Sequence, residues 1–180
     1  MNVKRLIPRR VKALYRRLRR RLRAWALSRL GAIDAELLAS YFNEALESYS
    51  MVDYRGKVVV DIGADWGSSC MYFLARDASK VIAFDTVRPH LPLRHVEWHG
   101  KWNGERVPGD ILKVDCEGCE CNADPSLFFS YPVAFVAVHK FAPCYSELSA
   151  RLAESCRKVF TSADGLEEMY LCENKEKKKS

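Results

Sequence analysis

Apolar residues recur along this chain with two different periods. Val3, Ile7, Val11, Leu14, Leu18, Leu22 and Trp25 fall three or four apart, the spacing that lines one face of an α-helix. Pro8 lies near the start of this pattern, where its missing N–H costs little, and Gly31 is placed to stop it. Ile33, Leu37, Leu38, Tyr41, Phe42 and Leu46 repeat the helical spacing and predict a second helix over 34–48 with Asp34 as its cap. After Gly56 the pattern changes to short β-branched runs. These lie at 57–62 (KVVVDI), 80–84 (KVIAF), 111–114 (ILKV) and 133–138 (VAFVAV). Runs that are mostly apolar, without alternation, predict parallel strands buried on both faces. Helices are predicted over 68–75 and 144–156, and an antiparallel hairpin over 158–161 and 169–172. The first two strands and the helix between them make a βαβ unit, whose right-handed crossover puts both strands in one sheet. The stretch 86–110 is rich in proline and glycine. It shows a short strand at 93–98 and no amphipathic helix.

Length and composition fit one folded domain with an extension. The chain has 180 residues, 48% hydrophobic and 29% charged, enough apolar material for a core and too much for a disordered chain. No apolar run approaches the ~20 residues needed to span a bilayer. The N-terminus lacks the continuous apolar stretch and cleavage site of a secretory signal. The expected division is a helical arm at 1–31, a domain at 32–172 and a lysine-rich tail at 173–180.

Charge sharpens that division. The net charge is +6, yet 12 of the 29 Lys and Arg residues lie in the first 33 positions, which hold no acid. The remaining 17 bases face all 23 acids, so a mildly acidic domain follows a strongly basic arm. Nine of the arm's basic residues, from Arg9 to Arg23, fall between its apolar positions. A basic amphipathic helix suits an anionic membrane surface or a nucleic-acid backbone, here through residues 4–29.

Seven cysteines, an odd number without a secretion signal, predict a reduced, cytoplasmic protein. CxxCxC at Cys116, Cys119 and Cys121 offers three thiolates, with Cys144 as a fourth. Zinc sites usually pair two separated knuckles, so these cysteines are read as small hydrophobes and no metal ligands are assigned.

Two clusters carry chemistry. In DIGADWG, Asp61, Gly63, Asp65 and Gly67 close a buried strand and open a helix. Glycines there let backbone approach a ligand, and the carboxyl ends of parallel strands are where open α/β sheets bind one. Asp85 ends the next strand, where an acid can accept both hydroxyls of a ribose. The spacing lacks the third glycine of a pyrophosphate fingerprint, so an adenosyl ligand without pyrophosphate, S-adenosylmethionine, fits best. In LKVDCEGCE, Asp115, Glu117 and Glu120 crowd one strand end beside Lys113. Crowded carboxylates raise one another's pKa, and such clusters mark sites that handle protons, cations or polar substrates.

VVVDIGADWGSS, VIAFD, LKVDCEGCE and VAVHKF resemble segments of FkbM-type methyltransferases, a branch of the class I S-adenosylmethionine-dependent enzymes. The third segment matches that family's Lys-x-Asp-x-Glu-Gly-x-Glu pattern. The resemblance spans about residues 55–172. It implies a Rossmann-like, mostly parallel seven-stranded sheet with a C-terminal antiparallel hairpin. It also implies methyl transfer to an oxygen of a small-molecule, sugar or lipid-linked acceptor. By this resemblance Asp61, Gly63 and Gly67 shape the cofactor loop and Asp85 holds the ribose. Asp115 and Glu117 face the sulfonium and the acceptor, and His139 sits across the crevice. Asp65 stands where the family commonly has Asn or Gly, and the 27 residues between Asp85 and Lys113 are fewer than the family usually places there. Two other readings share this fold: a nucleic-acid-directed methyltransferase that clamps phosphates with the arm, and a non-catalytic module that binds an adenosyl ligand.

Overall fold

The computed structural model describes residues 48–65, 67–86 and 94–174. The predicted arm at 1–31, nearly all of the predicted helix at 34–48, and the tail beyond Asn174 lie outside them. The described chain runs β1 (Val58–Ile62), α1 (Ser68–Leu74), β2 (Lys80–Phe84), β3 (Val96–His99), β4 (Ile111–Val114), β5 (Val133–His139), α2 (Tyr145–Ser155), β6 (Arg157–Thr161) and β7 (Glu167–Glu173). Two 3₁₀ turns, Cys119–Asn122 and Pro125–Ser130, connect β4 to β5.

The strands form one seven-stranded sheet in the order β3-β2-β1-β4-β5-β7-β6. β1 pairs in parallel with β2 and β4, β2 with β3, and β4 with β5. β7 runs antiparallel to both β5 and β6. This is the Rossmann-like sheet with a C-terminal hairpin that the strand pattern and the family resemblance imply.

Successive side chains of each central strand enter opposite cores. Val59, Val81, Ile111 and Phe135 face one layer with Tyr49, Tyr54, Tyr72 and Phe73. Val60, Leu112, Val114 and Val136 face the other with Phe128, Tyr131, Leu148 and Leu152. Every residue of β4 and β5 is buried, which is why, Lys113 and the terminal His139 apart, their sequences are apolar runs and not alternations. Full burial of a Val, Leu or Phe side chain stabilises by roughly 1.5–3 kcal/mol, so these central strands hold the sheet and leave its carboxyl edge free for polar groups.

One boundary and one larger expectation need correction. The strand predicted over 93–98 is present as β3, displaced to Val96–His99. The cysteines are not idle thiols. Cys116–Cys119, Cys121–Cys144 and Cys156–Cys172 are disulfides, and Cys70 alone is a free, buried thiol. The fold brings their Cα atoms to 5.5, 5.5 and 4.4 Å, a proximity that separations of 3, 23 and 16 residues do not announce. The cysteine count therefore no longer argues for a reducing compartment. Disulfides belong to oxidising compartments and also to intracellular proteins of hyperthermophiles. Among the described residues no helix is long and apolar enough to cross a membrane.

Candidate functional site

Four strand ends converge at the carboxyl edge of the sheet. β1 leads into Gly63, β2 into Asp85 and β4 into Asp115, and β5 ends in His139. β1 lies between β2 and β4, so the chain runs outwards from it in both directions. Such a switch point opens a crevice above the strand ends. A cavity of about 550 Å³ lies there, within the size range of small-molecule sites. Gly63, Asp65, Asp85, Asp115, Glu117 and His139 all line it.

Gly63 is the tightest point of this edge. Its φ of +75° is left-handed, and a Cβ on it would stand 1.8 Å from the backbone oxygen of Asp115. Only glycine fits there. Its N–H donates to the Phe84 oxygen at 2.9 Å, and its own oxygen accepts from the Lys113 ammonium. One residue thus ties the ends of β1, β2 and β4. Asp65 also has positive φ, +46°. Aspartate tolerates this region better than most residues. Its N–H donates to Asp85 Oδ2 at 2.8 Å, linking the β1 loop to the acid at the end of β2.

Asp61 and Gly67 are not on the cavity wall. Asp61 is fully buried behind it, accepting from Ser69 Oγ at 2.6 Å and lying 3.1 Å from Lys113 Nζ. It anchors α1 to the sheet and neutralises a buried lysine. Burial pulls the Lys113 pKa down, but Asp61 and Asp115 outweigh it and the net direction is upward, so the lysine stays charged. Gly67, with φ +87°, turns the chain into α1.

Asp115 is partly exposed. Its Oδ2 accepts from Tyr49 Oη at 3.3 Å, and its Oδ1 stands 3.7 Å from His139 Nε2. His139 is buried. Its Nδ1 lies 3.1 Å from Glu120 Oε1, which also accepts from the His139 N–H at 3.3 Å. Glu120 is only 1% exposed, and its Oε2 accepts from Gly118 N at 2.7 Å. Burial lowers the His139 pKa, but the Glu120 hydrogen bond and the charges of Glu120, Asp115 and Glu167 raise it more, and the net direction is upward. Burial raises the Glu120 pKa, but His139 and the amides around it carry it below the ordinary value. Glu117, exposed and at φ +55°, occupies the cavity rim.

Two acids of this site are not singled out by sequence reasoning. Glu120 appears only as the third acid of DCEGCE, with nothing to say that it turns inward to hold His139. Glu167 falls inside the predicted hairpin turn. The β5–β7 register sets it opposite His139 and brings it to the cavity; no local signal marks it. Lys101 and Trp102 line the cavity as well, whereas Trp98 packs into the core on the other side of the sheet. Arg106 stacks 5.0 Å over the Tyr131 ring. The Cys116–Cys119 disulfide forms part of the wall.

No protein-family model matches the chain. It is 33% identical over 144 residues to uncharacterized protein 65 of Sulfolobus islandicus filamentous virus, covering 73% of this chain and 89% of that one. It is 34% identical over 130 residues to uncharacterized protein 158B of Sulfolobus islandicus rod-shaped virus 1, covering 65% of this chain and 82% of that one. Among solved structures, a Plasmodium falciparum protein described as a ribosomal RNA methyltransferase superposes with a TM-score of 0.55 at 17% identity, over 76% of this chain and 96% of that one. The Thermoplasma acidophilum protein 1320 gives 0.54 at 14% identity, over 88% and 97%. At these identities the likeness establishes the fold alone, a Rossmann-like, mostly parallel sheet with a C-terminal antiparallel hairpin.

Proposed function

The chain belongs to the family of protein 65 of the filamentous virus and protein 158B of the rod-shaped virus, and we propose that it is an S-adenosylmethionine-dependent methyltransferase. Its acceptor, in this reading, is an oxygen of a small-molecule, sugar or lipid-linked compound. One observation carries the proposal: Gly63, Asp85, Asp115 and His139, from four strand ends, line one cavity on a sheet of methyltransferase order.

The residues suit the ligand. A cavity of about 550 Å³ accommodates an adenosyl compound. Asp85 would hold the ribose hydroxyls while its Oδ2 keeps the Asp65 loop in place. Gly63 and Asp65 would border the methionine end. When bound, S-adenosylmethionine supplies a methyl group already activated by a sulfonium. The chain must then align the acceptor and take its proton. Alignment is worth up to roughly 7–11 kcal/mol and a positioned base about 10²–10⁴-fold. Asp115, Glu117 and His139 face the space where the acceptor would lie. His139 is the best oriented of them, since Glu120 locks its ring and strengthens it as a base. The match of LKVDCEGCE to the FkbM pattern supports an oxygen acceptor over a base amine.

Titration calorimetry with S-adenosylmethionine tests the proposal. Wild type binds, Asp85→Ala weakens binding at least tenfold, and Asp85→Asn, which keeps an acceptor for the Asp65 N–H, loses less. Absence of heat at millimolar ligand overturns the reading and favours a fold that no longer turns over. The 12 basic residues of the arm support a second reading, in which nucleic acid is the methylated partner.

A further inference from the structure

Asp115, His139 and Glu167 come from three separate strand ends, after β4, at the end of β5 and at the start of β7. One ligand atom of each lies within 4.8 Å of the other two. Three donors on a single divalent ion at bond lengths of about 2.0–2.3 Å stand roughly 3–4 Å from one another; His139 Nε2 and Asp115 Oδ1, 3.7 Å apart, already meet that spacing, and closure of the Glu167 carboxylate by on the order of an ångström completes the set.

A second observation points the same way. The His139 side chain is 7% exposed. Its Nδ1 is taken by buried Glu120, which turns Nε2 toward Asp115 and the cavity. Nε2 itself makes no hydrogen bond among the described residues, because Asp115 Oδ1 at 3.7 Å is out of range. A carboxylate behind the far nitrogen is the arrangement that orients metal-ligating histidines. Charge agrees. Asp115, Glu120 and Glu167 surround one imidazole, while the nearest buried cation, Lys113, is closest to Asp61.

We propose that Asp115, His139 and Glu167 bind a divalent transition-metal cation of the Mn²⁺ class, with open coordination positions facing the cavity. One imidazole nitrogen and two carboxylates suit Mn²⁺, Fe²⁺ or Zn²⁺ better than Mg²⁺. Its consequence for the substrate rests on the methyltransferase reading; the cation site does not. A cation there takes the acceptor's hydroxyl oxygen as a ligand and acidifies it. The O–H bond breaks, the proton passes to the Glu117 carboxylate on the cavity rim, and the cation holds the charge left on oxygen. His139 is then a ligand and not the base. Two open positions favour an acceptor that chelates through two neighbouring oxygens, such as a vicinal diol or a catechol.

The test uses the full chain with its disulfides intact, freed of metal by a chelator and titrated with Mn²⁺. Free Mn²⁺ is read by electron paramagnetic resonance. One Mn²⁺ binds per chain, and Glu167→Gln and His139→Gln each weaken it at least tenfold. Glu120→Gln weakens it about 10–100-fold although it is not a ligand. Circular dichroism confirms that each variant is folded, and Mn²⁺ raises the melting temperature of wild type but not of Glu167→Gln. No stoichiometric Mn²⁺ binding, or binding indifferent to Glu167 and His139, overturns the proposal. Calorimetry with S-adenosylmethionine on the same samples separates the two readings. Cofactor binding without Mn²⁺ binding removes the cation site alone. Mn²⁺ binding without cofactor binding leaves the site and removes the methyltransferase.

Discussion

Glu120 and His139 form the most consequential contact between two residues in the molecule. Neither would be buried alone at low cost, since an unpaired charge in the interior loses its hydration. Together they create a pH window in the metal-free protein. Glu120 has a folded pKa below its ordinary 4.5, so its contribution is present above that value and fades as pH falls through the folded pKa. His139 has a folded pKa above its ordinary 6.5, so its contribution is full below 6.5 and is lost as pH rises through the folded value. The pair therefore stabilises most between about 4.5 and 6.5. Urea unfolding of wild type and His139→Gln across this range, with chelator present, should show a stability gap widest near the middle and narrower above neutrality. A gap independent of pH would mean that His139 acts only by packing. Lys113 and Asp61 make a second buried pair among the described residues; Asp61 stays behind the cavity wall, whereas Lys113 also lines the cavity.

At the scale of elements, the disulfides clamp the C-terminal half. Cys121–Cys144 ties the 3₁₀ turn after β4 to the start of α2, and Cys156–Cys172 ties the end of α2 to β7. The second reaches β7, the strand that begins with Glu167. A cross-link stabilises chiefly by restricting the unfolded chain, more for longer loops. Replacing Cys156 and Cys172 together by serine should cost about 2–4 kcal/mol in urea unfolding. Replacing Cys116 and Cys119 should cost clearly less, because their sequence separation is only 3, and should act on ligand binding through the cavity wall. Equal losses from both pairs would show that loop length does not govern here. The β5–β7 pairing matters for the same reason: a one-residue slip in this register would turn Glu167 to the other face of the sheet.

For the whole molecule, the charge separation between residues 1–33 and the rest of the chain makes binding to an anionic surface testable. A stretch with 12 bases and no acid, ahead of a domain with an acid excess, predicts binding that weakens as salt screens it. Flotation with vesicles containing anionic lipid should retain the full chain at about 0.05 M salt and release it near 0.5 M. Substituting Gln at Arg16, Arg17, Arg19, Arg20, Arg21 and Arg23 in the full chain should abolish flotation at either salt. Retention on RNA with no flotation would instead select the nucleic-acid reading, and binding to neither would leave the arm's basic residues merely solvated.

The amino-acid sequence by itself determined the central strands, because a strand buried on both faces is apolar nearly throughout, as residues 111–114, Lys113 excepted, and 133–138 are. It also determined the loop after β1, since a left-handed turn pressed against backbone admits only glycine at Gly63, and it placed acids at the ends of β2 and β4. These are local requirements, written within a few neighbouring residues. What tertiary structure alone decided is which distant residues meet: Glu167 with His139 across a strand register, Glu120 turned inward beneath the histidine, Asp61 withdrawn behind Lys113, and six cysteines paired. Those outcomes depend on proximity created by the packing of the sheet and its connections, and no short-range pattern of side chains encodes such proximity.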